Sequence, residues 1–186
     1  EPLGQRFDAD QKSQAIYFQN TINFNEPSLT ISLGYRTDKT FFGGGAFLER
    51  NTPGFVESWE ATDYSLYSTK TSNDAFNFGL EKELINNFLV YGNYSESFRT
   101  PNIDERIKSP TSGSFELRDQ NSENLEFGIR YSTPKINING SIFTMDTKNE
   151  IQYNQTLNTN LDPIERDGIN LDFSFEYDQL NKITGS

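Results

Sequence analysis

Apolar residues recur at every second position along much of this chain. In LTISLGYRT, Leu29, Ile31, Leu33 and Tyr35 share one face, and Thr30, Ser32, Gly34 and Arg36 share the other. That is the signature of a strand with one apolar and one wet face. NLEFGIRY repeats it, with Leu125, Phe127, Ile129 and Tyr131 set against Asn124, Glu126, Gly128 and Arg130. LDFSFEYD does so again, with Leu171, Phe173, Phe175 and Tyr177 opposite Asp172, Ser174, Glu176 and Asp178. Looser alternation runs through QAIYFQNTINF, AFNFGLEKEL, FLVYGNYSES and KININGSIFTMD. Together these predict about seven strands and no helix.

The connections sharpen the picture. Tight turns are expected at NEPS (Asn25 to Ser28), at INN before Phe88, at STPK (Ser132 to Lys135) and at DQLN (Asp178 to Asn181). Long connections are expected from Asp38 to Asn73, Phe98 to Asn121 and Gln152 to Asp167. Short and long alternate strictly, as in an antiparallel up-and-down sheet trimmed at one rim and elaborated at the other, the asymmetry of outer-membrane β-barrels. A soluble sandwich shares the alternation along its strands. Its loops have no systematic reason to be short at one end only.

Composition excludes several classes. Only 33% of the 186 residues are hydrophobic, yet 14% are aromatic, and the formal charge is −11. Low hydrophobicity with high charge favours disorder, but 16 Phe and 9 Tyr set in period-two order argue for strands. The acidic balance, with no run of basic residues, speaks against a nucleic-acid binder, which needs clustered Lys and Arg. No apolar run has the length of a membrane helix, a test to which a membrane strand is invisible.

The stretch Tyr94-Ser95-Glu96-Ser97-Phe98-Arg99-Thr100-Pro101-Asn102-Ile103-Asp104-Glu105 resembles the TonB-dependent outer-membrane receptors, whose strands end in an aromatic and small residues followed by Phe-Arg-x-Pro and an acidic residue. Three further segments follow in that family's order. FELRDQNSENLEFGIRY supplies Leu117, Arg118, Ser122, Glu126, Gly128 and Tyr131; SIFTMDTKNEIQY resembles the strand that ends in Asn-Glu-Ile and an aromatic; NLDPIERDGINLDFSFEY resembles the return strand, with Asn170 where the family carries an acidic residue. The resemblance covers Gln14 to Tyr177.

It implies an all-β fold: an antiparallel transmembrane β-barrel, present here as a fragment of about seven strands within residues 1–186. The family's plug domain, its energy-coupling box and the rest of a barrel of about 22 strands have no counterpart in the chain, so the fragment alone is expected to be aggregated or unfolded. The resemblance further implies active import of a nutrient, first a ferric siderophore or other iron complex, then cobalamin or a carbohydrate. Expected partners are that ligand, the TonB complex acting through the plug, and outer-membrane lipid and lipopolysaccharide.

Candidate chemistry is sparse. Without His or Cys there is no Ser-His-Asp or Cys-His constellation and no thiolate metal site, so neither catalysis, metal nor cofactor is expected. Asn158 to Asp162 begins like a calcium loop, but Pro163 and Ile169 stand where it needs Gly and Glu. FFGGGAF reads as a loop whose Phe41, Phe42 and Phe47, with Trp59, would capture an amphipathic ligand at the barrel mouth. Arg99 and Arg106 would offer cations to an anionic chelate, or pair with acidic neighbours or lipid phosphates instead. The alternative reading is a soluble β-sandwich carbohydrate-binding module that stacks sugars on Trp59 and tyrosines.

Overall fold

A computed structural model describes residues 3–51, 59–106, 116–155, 157–177 and 182–186. Ten strands and one short helix follow in order: β1 (Leu3–Phe24), β2 (Leu29–Asn51), β3 (Trp59–Ile85), β4 (Phe88–Arg99), α1 (Ile103–Arg106), β5 (Gln120–Ser132), β6 (Ile136–Lys148), β7 (Ile151–Tyr153), β8 (Asn158–Asn160), β9 (Ile164–Glu176) and β10 (Lys182–Gly185). Eight form one antiparallel sheet in the order β1-β2-β3-β4-β5-β6-β9-β10, and β7 pairs with β8 in a small separate hairpin. The sheet is open, with β1 and β10 at its edges. All seven expected strands are present.

Among the described residues no second sheet packs on the apolar face, which the sandwich alternative requires. Ile169 is 80% exposed, Leu171 59% and Phe127 54%. Cross-strand register assembles that face row by row. One row runs Ile22–Ile31–Leu80–Gly92–Phe127–Ile142–Ile169, and the next runs Phe24–Leu29–Lys82–Val90–Ile129–Gly140–Leu171. The opposite face carries rows such as Gln19–Gly34–Asn77–Ser95–Asn124–Met145–Arg166, which are mostly polar.

The apolar band does not follow these rows. On β2 it is centred near Ser32, between Leu29 and Tyr35; the row through Ser32 reaches β9 at Gly168, whereas the β9 band is centred near Phe173. The band therefore slides by about five residues over five strand-to-strand steps. At ~3.3 Å per residue and ~4.8 Å between strands, a level band demands strands tilted by about 35°, within the range of transmembrane barrels.

Short connections lie at one rim, as expected: Asn25 to Ser28, Asn86 to Asn87 and Thr133 to Lys135. Asp178 to Asn181 fall outside the described residues, although the antiparallel pairing of β9 with β10 spans them. At the second turn Asn87 takes a positive φ of 68°, tolerated by Asn, and its N–H donates to the Glu83 carboxylate at 3.1 Å.

Three expectations need correction. The connection from Asp38 to Asn73 is not a loop: β2 and β3 run on as strands to Asn51 and from Trp59, and β1 pairs alongside. FFGGGAF thus lies within β2. Its Gly44, at φ 151°, lets β1 come so close that a Cβ there would overlap Ala9. Between Gln152 and Asp167 the chain forms the β7–β8 hairpin and starts β9. Finally, one helix does exist, the single turn α1.

Four glycines on β4, β5, β9 and β10 face an aromatic ring directly across the ladder: Gly92 with Phe127, Gly128 with Tyr91, Gly168 with Phe143, and Gly185 with Phe173. The ring lies over the bare backbone, covering it from solvent. Alanine at Gly128 would overlap the Tyr91 hydroxyl, which bonds Asn139 at 3.2 Å and Glu126 at 3.4 Å. Gly128→Ala is expected to cost about 1–3 kcal/mol in denaturant unfolding of the membrane-embedded protein. Gly34→Ala, whose Cβ would meet Asn77 at an ordinary 3.5 Å, should be nearly neutral; equal costs at the two positions would refute the ring-over-glycine account.

Candidate functional site at the long-loop rim

Above the apolar band the outward face turns polar. The Tyr35 hydroxyl donates to Asp74 (2.8 Å) and that of Tyr94 to Glu96 (2.8 Å), so the two rings sit on the apolar side with their polar tips raised. Tyrosine takes this posture at a membrane–water interface.

A hollow of about 510 Å³ at this height is lined by Ser13, Arg36, Asp38, Thr40, Ser97 and Thr100, with Phe98 and the Glu96 carboxylate beside them. Alternation along β2 places Arg36, Asp38 and Thr40 on one face. Asp38 accepts from Arg36 Nη2 at 2.8 Å and Nε at 3.2 Å, and the guanidinium carbon lies 5.7 Å from the Phe98 ring centroid. Ser13 and Thr40 share a hydroxyl hydrogen bond of 2.9 Å across β1 and β2. Arg36 remains 55% exposed, so it presents a cation, held in plane by Asp38, beside hydroxyls and an aromatic ring. With Asp38 and Glu96 on the same lining, the wall offers a guanidinium edge, hydroxyls and carboxylates to a polar ligand with planar groups.

The segment after β4 closes one side of the hollow. Asn102 and Glu105 form a capping box: Asn102 Oδ1 accepts from the Glu105 N–H at 2.8 Å, and Glu105 Oε2 accepts from the Asn102 N–H at 2.9 Å. Arg99 Nη1 donates to both Glu105 oxygens, at 2.8 and 2.9 Å. The Phe-Arg-Thr-Pro-Asn break thus encodes a strand end, a buried Pro101 and a one-turn helix clamped back onto that strand end.

Arg106, the last residue of α1, is only 1% exposed. Its guanidinium carbon lies 5.4 Å from the Phe42 ring centroid, Nη1 donates to the Leu117 carbonyl at 3.1 Å, and Nη2 is 3.9 Å from Asp119. Burial lowers its pKa from the ordinary value, opposed by Tyr67, Asp119 and Glu105, and a guanidinium stays charged regardless. Asn73 of β3 also donates to Asp119. Phe42, 1% exposed, packs with Ala9, Tyr67 and Ile103. The β7–β8 hairpin is tied in as well: Asn158 donates to the Glu105 carbonyl (3.1 Å), while Asn160 donates to the Arg118 carbonyl (3.0 Å) and accepts from the Arg118 N–H (2.8 Å).

Of the six residues expected to meet a ligand, Phe42 and Arg106 are brought together and buried as a latch. Phe41, next along β2, points to the opposite face and is 43% exposed; strand alternation forbids the pair from sharing one ligand surface. Arg99, 44% exposed, is paired with Glu105. The side chains of Phe47 and Trp59 lie outside the described residues; their backbones are in β2 and β3. Sequence reasoning missed Arg36, Asp38 and Thr40, although they continue the wet face read in LTISLGYRT. Among the described residues no group of three or more His, Cys, Asp or Glu could hold a metal ion, and no helix is long and apolar enough to cross a membrane, which says nothing of a β-barrel.

A tilted antiparallel sheet with an exposed apolar band, an aromatic belt and a polar inner face is the wall of a transmembrane β-barrel. The chain belongs to the family described as TonB dependent receptor-like, beta-barrel, which matches residues 2–185, and its place is the bacterial outer membrane. The ferric yersiniabactin uptake receptor FyuA from Yersinia pestis is similar in structure (TM-score 0.71, 15% identity, covering 95% of this chain and 26% of that one). So is the Serratia marcescens hemophore receptor HasR, solved in complex with its hemophore HasA and heme (0.70, 14%, 89% and 32%). The ferric-catecholate import receptor Fiu from E. coli is a third (0.66, 15%, 92% and 26%). The chain thus spans about a quarter to a third of the length of these receptors. Comparison with curated proteins found no match.

Proposed function

We propose that this chain walls the entry path of an active importer that carries a scarce nutrient across the outer membrane, with a ferric siderophore or other iron complex the first candidate and cobalamin the second. Family membership and the ferric chelates and heme bound by the similar receptors support this reading. The observation that carries it is the Arg36 hollow, where a cation held by Asp38, hydroxyls, the Phe98 ring and the Glu96 carboxylate converge at the long-loop rim.

Ligand meets the extracellular rim first, at Arg99 and at Phe47 and Trp59 near the end of the β2–β3 hairpin, and then the Arg36 wall. Phe41, Phe42 and Arg106 shape the rim. Energy arrives from the TonB complex through a plug, lipid and lipopolysaccharide surround the outer face, and nucleic acid plays no part. The chain does no bond chemistry and needs no cofactor.

The test uses cells lacking the full-length receptor, complemented with wild-type or Arg36→Glu protein, and measures uptake of radioactive ferric catecholate chelates under iron limitation. Arg36→Glu is expected to raise the half-saturating concentration about tenfold or more, the worth of a charge-assisted hydrogen bond, with the maximal rate little changed. If the wild-type gene restores uptake of no iron chelate and no cobalamin, the importer reading fails.

A further inference from the structure

Lys82 is out of place. It sits in the row Phe24–Leu29–Lys82–Val90–Ile129, on the face that meets lipid, between Leu80 and Leu84 along β3. Among the described residues it is the only charged side chain within the outward band from Phe18–Phe24 on β1 to Ile169–Phe175 on β9. No described residue forms an ion pair with it, and its neighbours Glu81 and Glu83 point to the opposite face by alternation. A cation on this face is costly at the midplane and tolerated near an interface, where it can meet anionic headgroups.

Beside it the band has a dent. A groove of about 510 Å³, almost wholly apolar, runs between Phe78, Leu80 and Lys82 on one side and Val90, Gly92 and Phe127 on the other. Gly92 presents no side chain in this row, so the Phe127 ring leans over its backbone and the groove opens between that ring and Phe78 and Leu80. From Lys82 to Phe78 the groove follows four residues of strand, roughly 13 Å at ~3.3 Å per residue, which the ~35° tilt projects to about 11 Å of depth, most of the hydrocarbon of one leaflet. Lys82 lies at its lower end, three residues from the end of β3 at Ile85 and therefore on the side of the short turns, which face the periplasm. A lysine there extends its stem towards the near interface and places its ammonium among headgroups.

We propose that this groove and Lys82 form a site for one anionic glycerophospholipid of the periplasmic leaflet, an acyl chain lying in the groove between Leu80 and the Phe127 ring and the phosphate meeting the Lys82 ammonium. The site faces away from the lumen and makes no demand on the transported ligand, so its failure would leave the importer reading untouched.

The experiment takes the full-length receptor, purified in detergent, titrates it with phosphatidylglycerol or with phosphatidylcholine, and counts retained lipid by native mass spectrometry. Wild-type protein is expected to hold one phosphatidylglycerol more firmly than phosphatidylcholine. Lys82→Gln should lower that occupancy about fivefold, the contribution of one basic residue at an anionic surface, and Leu80→Trp, which fills the groove, should lower it with Lys82 intact. Both are lipid-facing changes that leave the ladder whole. Occupancy unchanged in both variants overturns the site. Loss in Leu80→Trp alone, or preferential retention of lipopolysaccharide at the groove, overturns the assignment to an anionic phospholipid.

Discussion

Arg106→Ala is expected to open the described residues on either side of it, Thr100 to Arg106 and Leu117 to Asp119, to proteolysis in the intact, membrane-embedded receptor while leaving the strands of the sheet protected. The guanidinium is the hub of the latch: it stacks on Phe42, bonds the Leu117 carbonyl and neutralises Asp119, which is itself only 8% exposed. Removing one partner of a buried ion pair leaves the other charge uncompensated, typically at about 3–5 kcal/mol. That exceeds what Arg99–Glu105 and the capping box, both at the surface, contribute. Arg106→Met combined with Asp119→Asn removes both charges and should recover much of the protection, because the loss comes from the stranded carboxylate. A cleavage rate in Arg106→Ala equal to wild type would dismiss the latch. The Arg36 hollow borders this segment through Thr100, so ligand affinity should fall along with protection.

The second large effect concerns the lipid face. Phe173 lies at the centre of the β9 band and its ring covers Gly185, whereas Ser174 points to the lumen beside Asn137 and Thr184. Phe173→Arg is expected to destabilise the full-length protein in lipid bilayers by about 2–4 kcal/mol, the range for a cation near the midplane. Ser174→Arg should cost about 1 kcal/mol or less, since a lumenal guanidinium stays hydrated. Urea unfolding in bilayers measures both. Equal costs at these adjacent positions would mean that the two faces are assigned wrongly, and with them the lipid groove at Lys82.

Much of the wall was legible in the chain. Lipid on one side and water on the other force alternation, so period two in Leu29 to Tyr35, Leu125 to Tyr131 and Leu171 to Tyr177 located strands, faces and short turns. The break at Phe98 was read as a strand end, and β4 does end at Arg99. Where both faces are wet the signal vanishes. The upper halves of β2 and β3 carry polar residues and glycines on both sides, and backbone pairing along the ladder makes them strands where sequence reads loop. β10, four residues long, is too short to show a period.

By itself, then, the sequence determined which residues meet lipid and where the chain turns, because those properties depend on each residue's own solvent. Tertiary structure decided the rest. The ~35° tilt emerges only from register across the strands. The burial of Arg106 needs Phe42, Leu117 and Asp119, the first of them 64 positions away along the chain. The exposure of Lys82 beside Gly92 and Phe127 likewise needs three strands aligned. No local pattern encodes such contacts, since each is made by residues whose separation in sequence is set by the fold.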